Sequence, residues 1–472
     1  MNSRSLIKNF SIAVIAQGIA LVMSFLQSLV IPKLLVGDAY GYWQLFIFYS
    51  GYVGFFHLGL NDGIYLLEGG HTRNQIDKRS VNSQLLFSIG IETVFALIIL
   101  AIAFLGSFDS ARVTVLVATA LYIIIRDVAD YLALVLQAMN ETQFSSYSTV
   151  VERVSFVVLV FVLMLLNVTD FVPYIIMYMC ASFARMAYCV FQMRDFIKSG
   201  MYSFSKTLRL SIDSIRVGIK LMVASTASGL IIGIARFGID NTWDINTFGK
   251  LSLSFSLVSF YMQFIMQASM VLFPAMRQST QREVQSFIRG ARSALCVLLP
   301  AAYVLYFPMT WILGLWLPEY ADSFTYFIYL IPICVFDGMM DITCTTYFKV
   351  ARKESELFII NVVTALCSAL GTGLGTMVFR SIYAVIASIV LCIATRSMIS
   401  EHIVSRHLKI PTDSIVYVQI PLTLSFIVVA TIFDAPLACA VTVSGYLAFL
   451  AMYRTSVRTL IQSVGTFLGE RS

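Results

Sequence analysis

Apolar runs of roughly 20 residues, long enough to cross about 30 Å of hydrocarbon as helices, follow one another along the whole chain, separated by short polar breaks. A membrane barrel would instead show short alternating strands, so the pattern predicts an all-α integral membrane protein. Reading between the polar breaks gives about 14 transmembrane helices. They are expected at 10–36, 39–66, 81–105, 112–138, 148–167, 171–193, 217–239, 247–276, 291–317, 321–348, 356–378, 381–400, 414–433 and 436–453. The first run is far longer than a signal-peptide core and reads as a retained span.

Composition agrees, with 58% hydrophobic and 12% charged residues and a mean hydropathy of +0.83. The net charge of +6 is explained by topology rather than by a nucleic-acid partner. With a cytoplasmic N-terminus, roughly 25 basic residues face in and about 4 face out, so both termini are expected inside. The eight cysteines stand singly in or beside apolar runs without a CxxC pair, which suits small buried hydrophobes better than a metal or redox site. No loop is long enough to hold a catalytic domain, so the chain does not read as an enzyme.

The longest polar break, "RDFIKSGMYSFSKTLRLSIDSIRVG" at 194–218, is basic and lies near the midpoint. It divides the chain into an N-terminal lobe at 1–196, a cytoplasmic linker at 197–216 that suits an anionic lipid surface, a C-terminal lobe at 217–410, and two further helices with a tail at 411–472. The lobes echo each other. "RDVADYLALVLQAMNETQ" and "FDGMMDITCTTYFKVARKE" each set an Asp pair before a polar helix exit, and aligning Asp127 with Asp337 gives an offset of roughly 210. Six helices apart, orientation is unchanged, so the echo predicts a parallel pseudo-repeat of two six-helix lobes.

Three stretches carry a family likeness: "HLGLNDGIYLLEGG", "LGLWLPEYADSFTYFIYLIPICVFDG" and "TTYFKVARKES". The chain resembles the polysaccharide-export flippases, the Wzx-like oligosaccharide-flippase branch of the multidrug/oligosaccharidyl-lipid/polysaccharide superfamily. That resemblance implies two lobes around a central cavity open alternately to each side of a bacterial cytoplasmic membrane. The implied cargo is an undecaprenyl-pyrophosphate-linked oligosaccharide, moved to the outer leaflet. Implied partners are membrane lipids and the glycosyltransferase and polymerase of the same pathway. Where many relatives carry a basic residue near "YLLEGG", Leu67 and Glu68 stand here, which departs from a cationic inner gate.

The charges inside apolar spans are the candidate chemistry. Arg126, Asp127 and Asp130 fall in the middle of the 112–138 span, where each charge costs about 2.5 to 3.5 kcal/mol on insertion scales unless it faces protein or water. Arg126 and Asp130, four apart, can neutralise each other along one helix face; alternatively Arg126 grips a pyrophosphate with its planar fork. Arg185 extends the cationic reading, as does Arg236 unless it snorkels to the interface. Gln263, Gln267, Asp337 and Asp341 are candidates to line the same cavity and bond sugar hydroxyls, although amides also join helices.

No cofactor is implied. Asn61, Asp62 and Glu92, with the Asp pairs, are candidates for H+ or Na+ coupling or for gating. Trp43, Trp311 and Trp316 are expected in interfacial belts. Gly371, Gly373 and Gly375 read as a packing surface rather than a phosphate loop, since no strand precedes them. Rival readings are a drug or cation antiporter, which would favour an acidic cavity, a lipid II flippase, and a membrane polymerase or ligase, which would need a large outer loop.

Overall fold

The structure is a computed structural model that describes residues 18–19, 21–278, 280–411 and 414–454. Among the described residues there is no strand. The chain runs through α1 (Leu21–Leu34), α2 (Asp38–Ser50), α3 (Leu60–Leu67), α4 (Lys78–Leu105), α5 (Ser110–Ala138), α6 (Thr142–Leu165) and α7 (Phe171–Gln192). It continues through α8 (Phe204–Thr242), α9 (Ile245–Gln278), α10 (Gln281–Leu298), α11 (Ala301–Trp316), α12 (Ala321–Leu330) and α13 (Pro332–Met339). The last are α14 (Glu354–Gly373), α15 (Ile382–Leu408), α16 (Ser414–Ile432) and α17 (Ala435–Met452).

Local chemistry sets the boundaries. Asp77, Asp109 and Asp170 accept hydrogen bonds from backbone N–H groups at the starts of α4, α5 and α7, meeting donors that an isolated helix end would leave unpaired. Thr280 and Glu283 form a reciprocal capping box at α10. Pro300 follows α10 and Pro332 opens α13, so two of the expected spans are each built from shorter helices. A π-turn at Met340–Thr345 comes directly after α13.

Among the described residues, eight helices are long and apolar enough to cross a membrane, or ten if each of two bent pairs is one span. This is a multi-pass membrane protein, and the described residues supply fewer qualifying spans than the count of about 14 that hydrophobic runs suggest. The helix carrying Arg126, Asp127 and Asp130 is not among the eight. Faces turned away from protein remain apolar, as at Leu105, Leu370 and Met377, which suits lipid rather than water.

The chain forms two compact units, Met1–Thr226 with Ile245–Gly249, and Ala227–Asp244 with Lys250–Ser472. In the first, Leu60, Val81, Tyr131, Leu132 and Leu136 centre one buried apolar cluster. In the same unit α3 lies backbone to backbone on the start of α8: a Cβ at Gly63 would fall 1.9 Å from the Ser214 carbonyl oxygen. Only glycine permits that approach. In the second unit Gly371 packs against the Ser388 side chain and Gly375 against the side chain and backbone of Val385, both on α15, whereas Gly373 faces open space.

Trp43 corrects one expectation. It is fully buried, stacked on Phe156 at 6.3 Å and edge-on to Tyr174 and Tyr178, because its ring fills the space between α2, α6 and α7. Trp311 and Trp316 are exposed.

Candidate functional site

The first unit closes four charges from three helices into a ring. Arg126 on α5 donates Nε to Asp130 Oδ2 at 2.7 Å and Nη1 to Glu152 Oε1 at 2.9 Å. Arg185 on α7 approaches Asp130 Oδ1 with Nη2 at 2.7 Å and Glu152 Oε2 with Nη1 at 3.2 Å. Ser182 adds a hydrogen bond to Glu152 Oε1 at 2.7 Å. Each arginine touches both carboxylates, so the ring is neutral and its members satisfy one another in a way that isolated charges in hydrocarbon cannot.

The ring has a covered and an open side. Arg185 and Glu152 expose 8% and 9% of their side chains, whereas Arg126 and Asp130 each expose 29%. Arg126 and Asp130 are therefore the more accessible half of the ring.

Asp127, one residue from Arg126, is left out. It is fully buried and neither carboxyl oxygen has a hydrogen-bond partner. Glu92 on α4 lies within its electrostatic reach. Glu92 is buried too, accepts from Ser88 at 2.7 Å through one oxygen, and has no partner at the other.

Beside the ring, within the same unit, a cavity of about 270 Å³ is lined by His57, Asn61, Asp62, Asp130, Gln137 and Arg185, among others. Asn61 is fully buried with no partner for either amide atom. The Gly59 N–H donates to His57 Nδ1 at 3.0 Å.

The second unit builds a smaller cluster. Arg396 on α15 binds Asp337 of α13, donates to Ser228 Oγ at 2.8 Å and to Asn361 Oδ1 of α14 at 3.2 Å. Asp341 sits in the π-turn, reached by Thr345 Oγ1 at 3.5 Å. Nearby in the chain, Arg292 and Glu401 form a further buried pair at 2.7 Å, with Ser405 and Thr343 as additional partners.

Of the other candidates, Arg236 donates to Ser252 Oγ at 2.9 Å and stands 5.9 Å from the Phe255 ring centroid, so protein groups hold it. Gln263 is half-buried on α9. Gln267 lies on α9, and its side chain falls outside what the structure describes.

Sequence reasoning overlooked Glu152, Asn361, Arg396, Arg292 and Glu401. The signal is present for Glu152 and Arg396, which lie inside the expected 148–167 and 381–400 spans; Arg396, and Arg153 next to Glu152, fall instead among the basic residues expected to face the cytoplasm. Arg292, at the edge of the expected 291–317 span, falls in the same group.

At the cytoplasmic end expected for the first unit, Arg73 forks onto Glu141 at 2.9 and 2.8 Å and reaches Asp195 at 2.7 Å. Lys78 also binds Asp195 at 2.7 Å. Burial alone would raise the Asp195 carboxyl, but Lys78 and Arg73 outweigh it and hold it below the usual range. The next segment is tied to α4 through Tyr202, whose hydroxyl donates to Asp77 at 2.8 Å.

Comparison with known proteins gives a family and a fold. The polysaccharide biosynthesis protein family matches residues 5–280. Among solved structures, the lipid II flippase MurJ in an inward closed conformation superposes with a TM-score of 0.68 at 13% identity, covering 94% of this chain and 99% of that one. An inward-facing multidrug resistance MATE family transporter of the MOP superfamily superposes with a TM-score of 0.62 at 10% identity, covering 82% and 94%. No curated protein sequence matches. At these identities the likeness to solved structures is one of fold.

Proposed function

This chain belongs to the polysaccharide biosynthesis protein family, and we propose that it is a flippase carrying an undecaprenyl-pyrophosphate-linked oligosaccharide from the inner to the outer leaflet of a bacterial cytoplasmic membrane by alternating access. The observation that carries this reading is the family match over residues 5–280. The shared fold of a lipid II flippase adds support. Moving a pyrophosphate and several sugars past hydrocarbon requires a polar route while the lipid tail stays in the bilayer.

In this reading the four-charge ring supplies the pyrophosphate contact. Arg126, on the open side, exchanges a carboxylate for a phosphate, since a guanidinium fork holds either group bidentately. The displaced Asp130 keeps Arg185 as partner, so no charge is stranded during the exchange. Coupling to H+ or Na+ is assigned to Asp127 and Glu92, whose unpartnered carboxyl oxygens can gain or lose a cation without breaking an ion pair.

The test is the leaflet distribution of the lipid-linked precursor in host cells with and without this chain. Accumulation on the cytoplasmic leaflet upon deletion supports flipping. An unchanged distribution removes the proposal.

A further inference from the structure

The cavity beside the ring holds a feature that ion pairing does not explain. Asn61 is completely buried, lines the cavity and has neither its amide oxygen nor its amide nitrogen bonded to protein. Leaving a buried amide unpaired is costly, and replacing it by an apolar side chain would remove that cost. A polar occupant is the physical reason to keep it.

The lining narrows the occupant's chemistry. Since the Gly59 N–H donates to His57 Nδ1, the neutral ring carries its proton on Nε2, which lies toward the cavity-lining Gly54, 3.9 Å from the place a Cβ would take there. Asn61 offers two N–H donors and an acceptor, and Asp62 adds a carboxyl group. A metal cation wants acceptors alone and would meet the His57 N–H, the Asn61 NH2 and the Arg185 guanidinium. A pyrophosphate would meet the carboxyl groups of Asp62 and Asp130. A neutral group with alternating donors and acceptors fits both sets.

We propose that the cavity formed by His57, Asn61 and Asp62 binds one neutral pyranose unit of the cargo through its hydroxyl groups. Adjacent ring hydroxyls can accept from the Asn61 NH2 and donate to its oxygen, as amides pair with diols, while His57 donates and Asp62 accepts at the next positions. Ala133, Leu134 and Met222 supply apolar wall for the sugar's C–H face. At about 270 Å³ the space is smaller than drug-sized sites of roughly 300 to 1,000 Å³ and suits a single ring. Asn61 and Asp62 thereby become cargo-recognition residues rather than carriers of the coupling ion. The inference rests on the flippase reading for the source of the sugar.

The test uses the full chain in lipid nanodiscs, with methyl glycosides of glucose, galactose and N-acetylglucosamine as probes, and saturation-transfer NMR with titration as readout. At least one glycoside should bind the wild type, unaffected by sodium chloride or inorganic pyrophosphate. Asn61→Leu, which removes only unpartnered atoms and so should unfold at an equal or higher temperature, should weaken binding about tenfold or more. Asp62→Asn, which keeps an acceptor, should weaken it only a few-fold, whereas a cation site would be abolished. Absence of glycoside binding, wild-type affinity in Asn61→Leu or in Asp62→Asn, or competition by sodium or pyrophosphate would each overturn the proposal. The two readings fail separately: a chain whose deletion traps precursor inside but which binds no glycoside loses the subsite alone, and one that binds glycoside but whose deletion traps nothing loses flipping alone.

Discussion

The two units solve one problem with the same parts in a different pairing. Arg396 stands 211 residues after Arg185, Asn361 stands 209 after Glu152, and Asp337 and Asp341 stand 210 and 211 after Asp127 and Asp130. In the first unit Arg185 takes the second aspartate of its pair, Asp130, and leaves Asp127 without a partner. In the second unit Arg396 takes the first, Asp337, and leaves Asp341 to Thr345. A π-turn at Met340–Thr345 follows Asp337 and holds Asp341, so the second unit spaces its aspartates four apart where the first spaces them three apart. A second difference is charge. Glu152 faces two arginines, and its counterpart Asn361 faces one. The number of acids in each cluster tracks the number of arginines to be neutralised, as expected where an unpaired charge is expensive.

The largest effect should come from removing the acid that serves two arginines. Glu152→Ala strands part of Arg126 and Arg185 together and should lower stability by about 3 to 5 kcal/mol in detergent unfolding. Asn361→Ala, which removes one neutral acceptor, should cost about 1 to 2 kcal/mol. Equal losses at the two positions would end the comparison.

The next effect is a crossed pattern among the aspartates. Asp130→Ala and Asp337→Ala should each cost about 3 kcal/mol, whereas Asp127→Ala and Asp341→Ala should cost under about 1. If the first member of each pair, or the second, proves critical in both units, the opposite pairing of the two units is wrong. A smaller effect sharpens the contrast. Asn361→Asp gives Arg396 a further acid without a second arginine and should destabilise by about 1 kcal/mol through crowding of like charge.

The smallest effect lies outside the clusters. Asp195→Asn should cost under about 1 kcal/mol at pH 7, because its partners are partly exposed. Since the folded Asp195 carboxyl is held low, its contribution is complete above the unfolded carboxyl's value of about 3.9 and fades as pH falls through the lower folded value. The gap between variant and wild type should therefore be flat from neutral pH down to about pH 5 and close only in strong acid.

Much of this architecture was legible in the residues. Hydrophobic runs located helices, since a membrane-spanning backbone must satisfy its own polar groups. The i to i+4 spacing announced the Arg126 and Asp130 pair, and an offset of roughly 210 linked the two Asp pairs. The features that stayed hidden depend on which way a helix is turned. Glu152 and Arg396 sit near ends of apolar runs expected to be cytoplasmic, where Arg396 and the neighbouring Arg153 read as solvated positive-inside charges; packing turns Glu152 and Arg396 inward. Which aspartate of a pair an arginine takes depends on how the facing helices are turned, which residue spacing alone does not give. Trp43 shows the same limit, as an aromatic near a span end suits a belt or a core equally well.

The most direct measurement tracks the cargo itself. Lipid-linked oligosaccharide is loaded into proteoliposomes, and its exposure to a membrane-impermeant sugar-modifying reagent is timed with wild-type chain, with Arg126→Gln, and with no protein. A flippase should expose the initially protected pool rapidly with wild type and lose most of that rate in Arg126→Gln protein that remains folded. Equal rates in wild-type and protein-free vesicles would contradict flipping, and a wild-type rate in Arg126→Gln would contradict the role given to the ring.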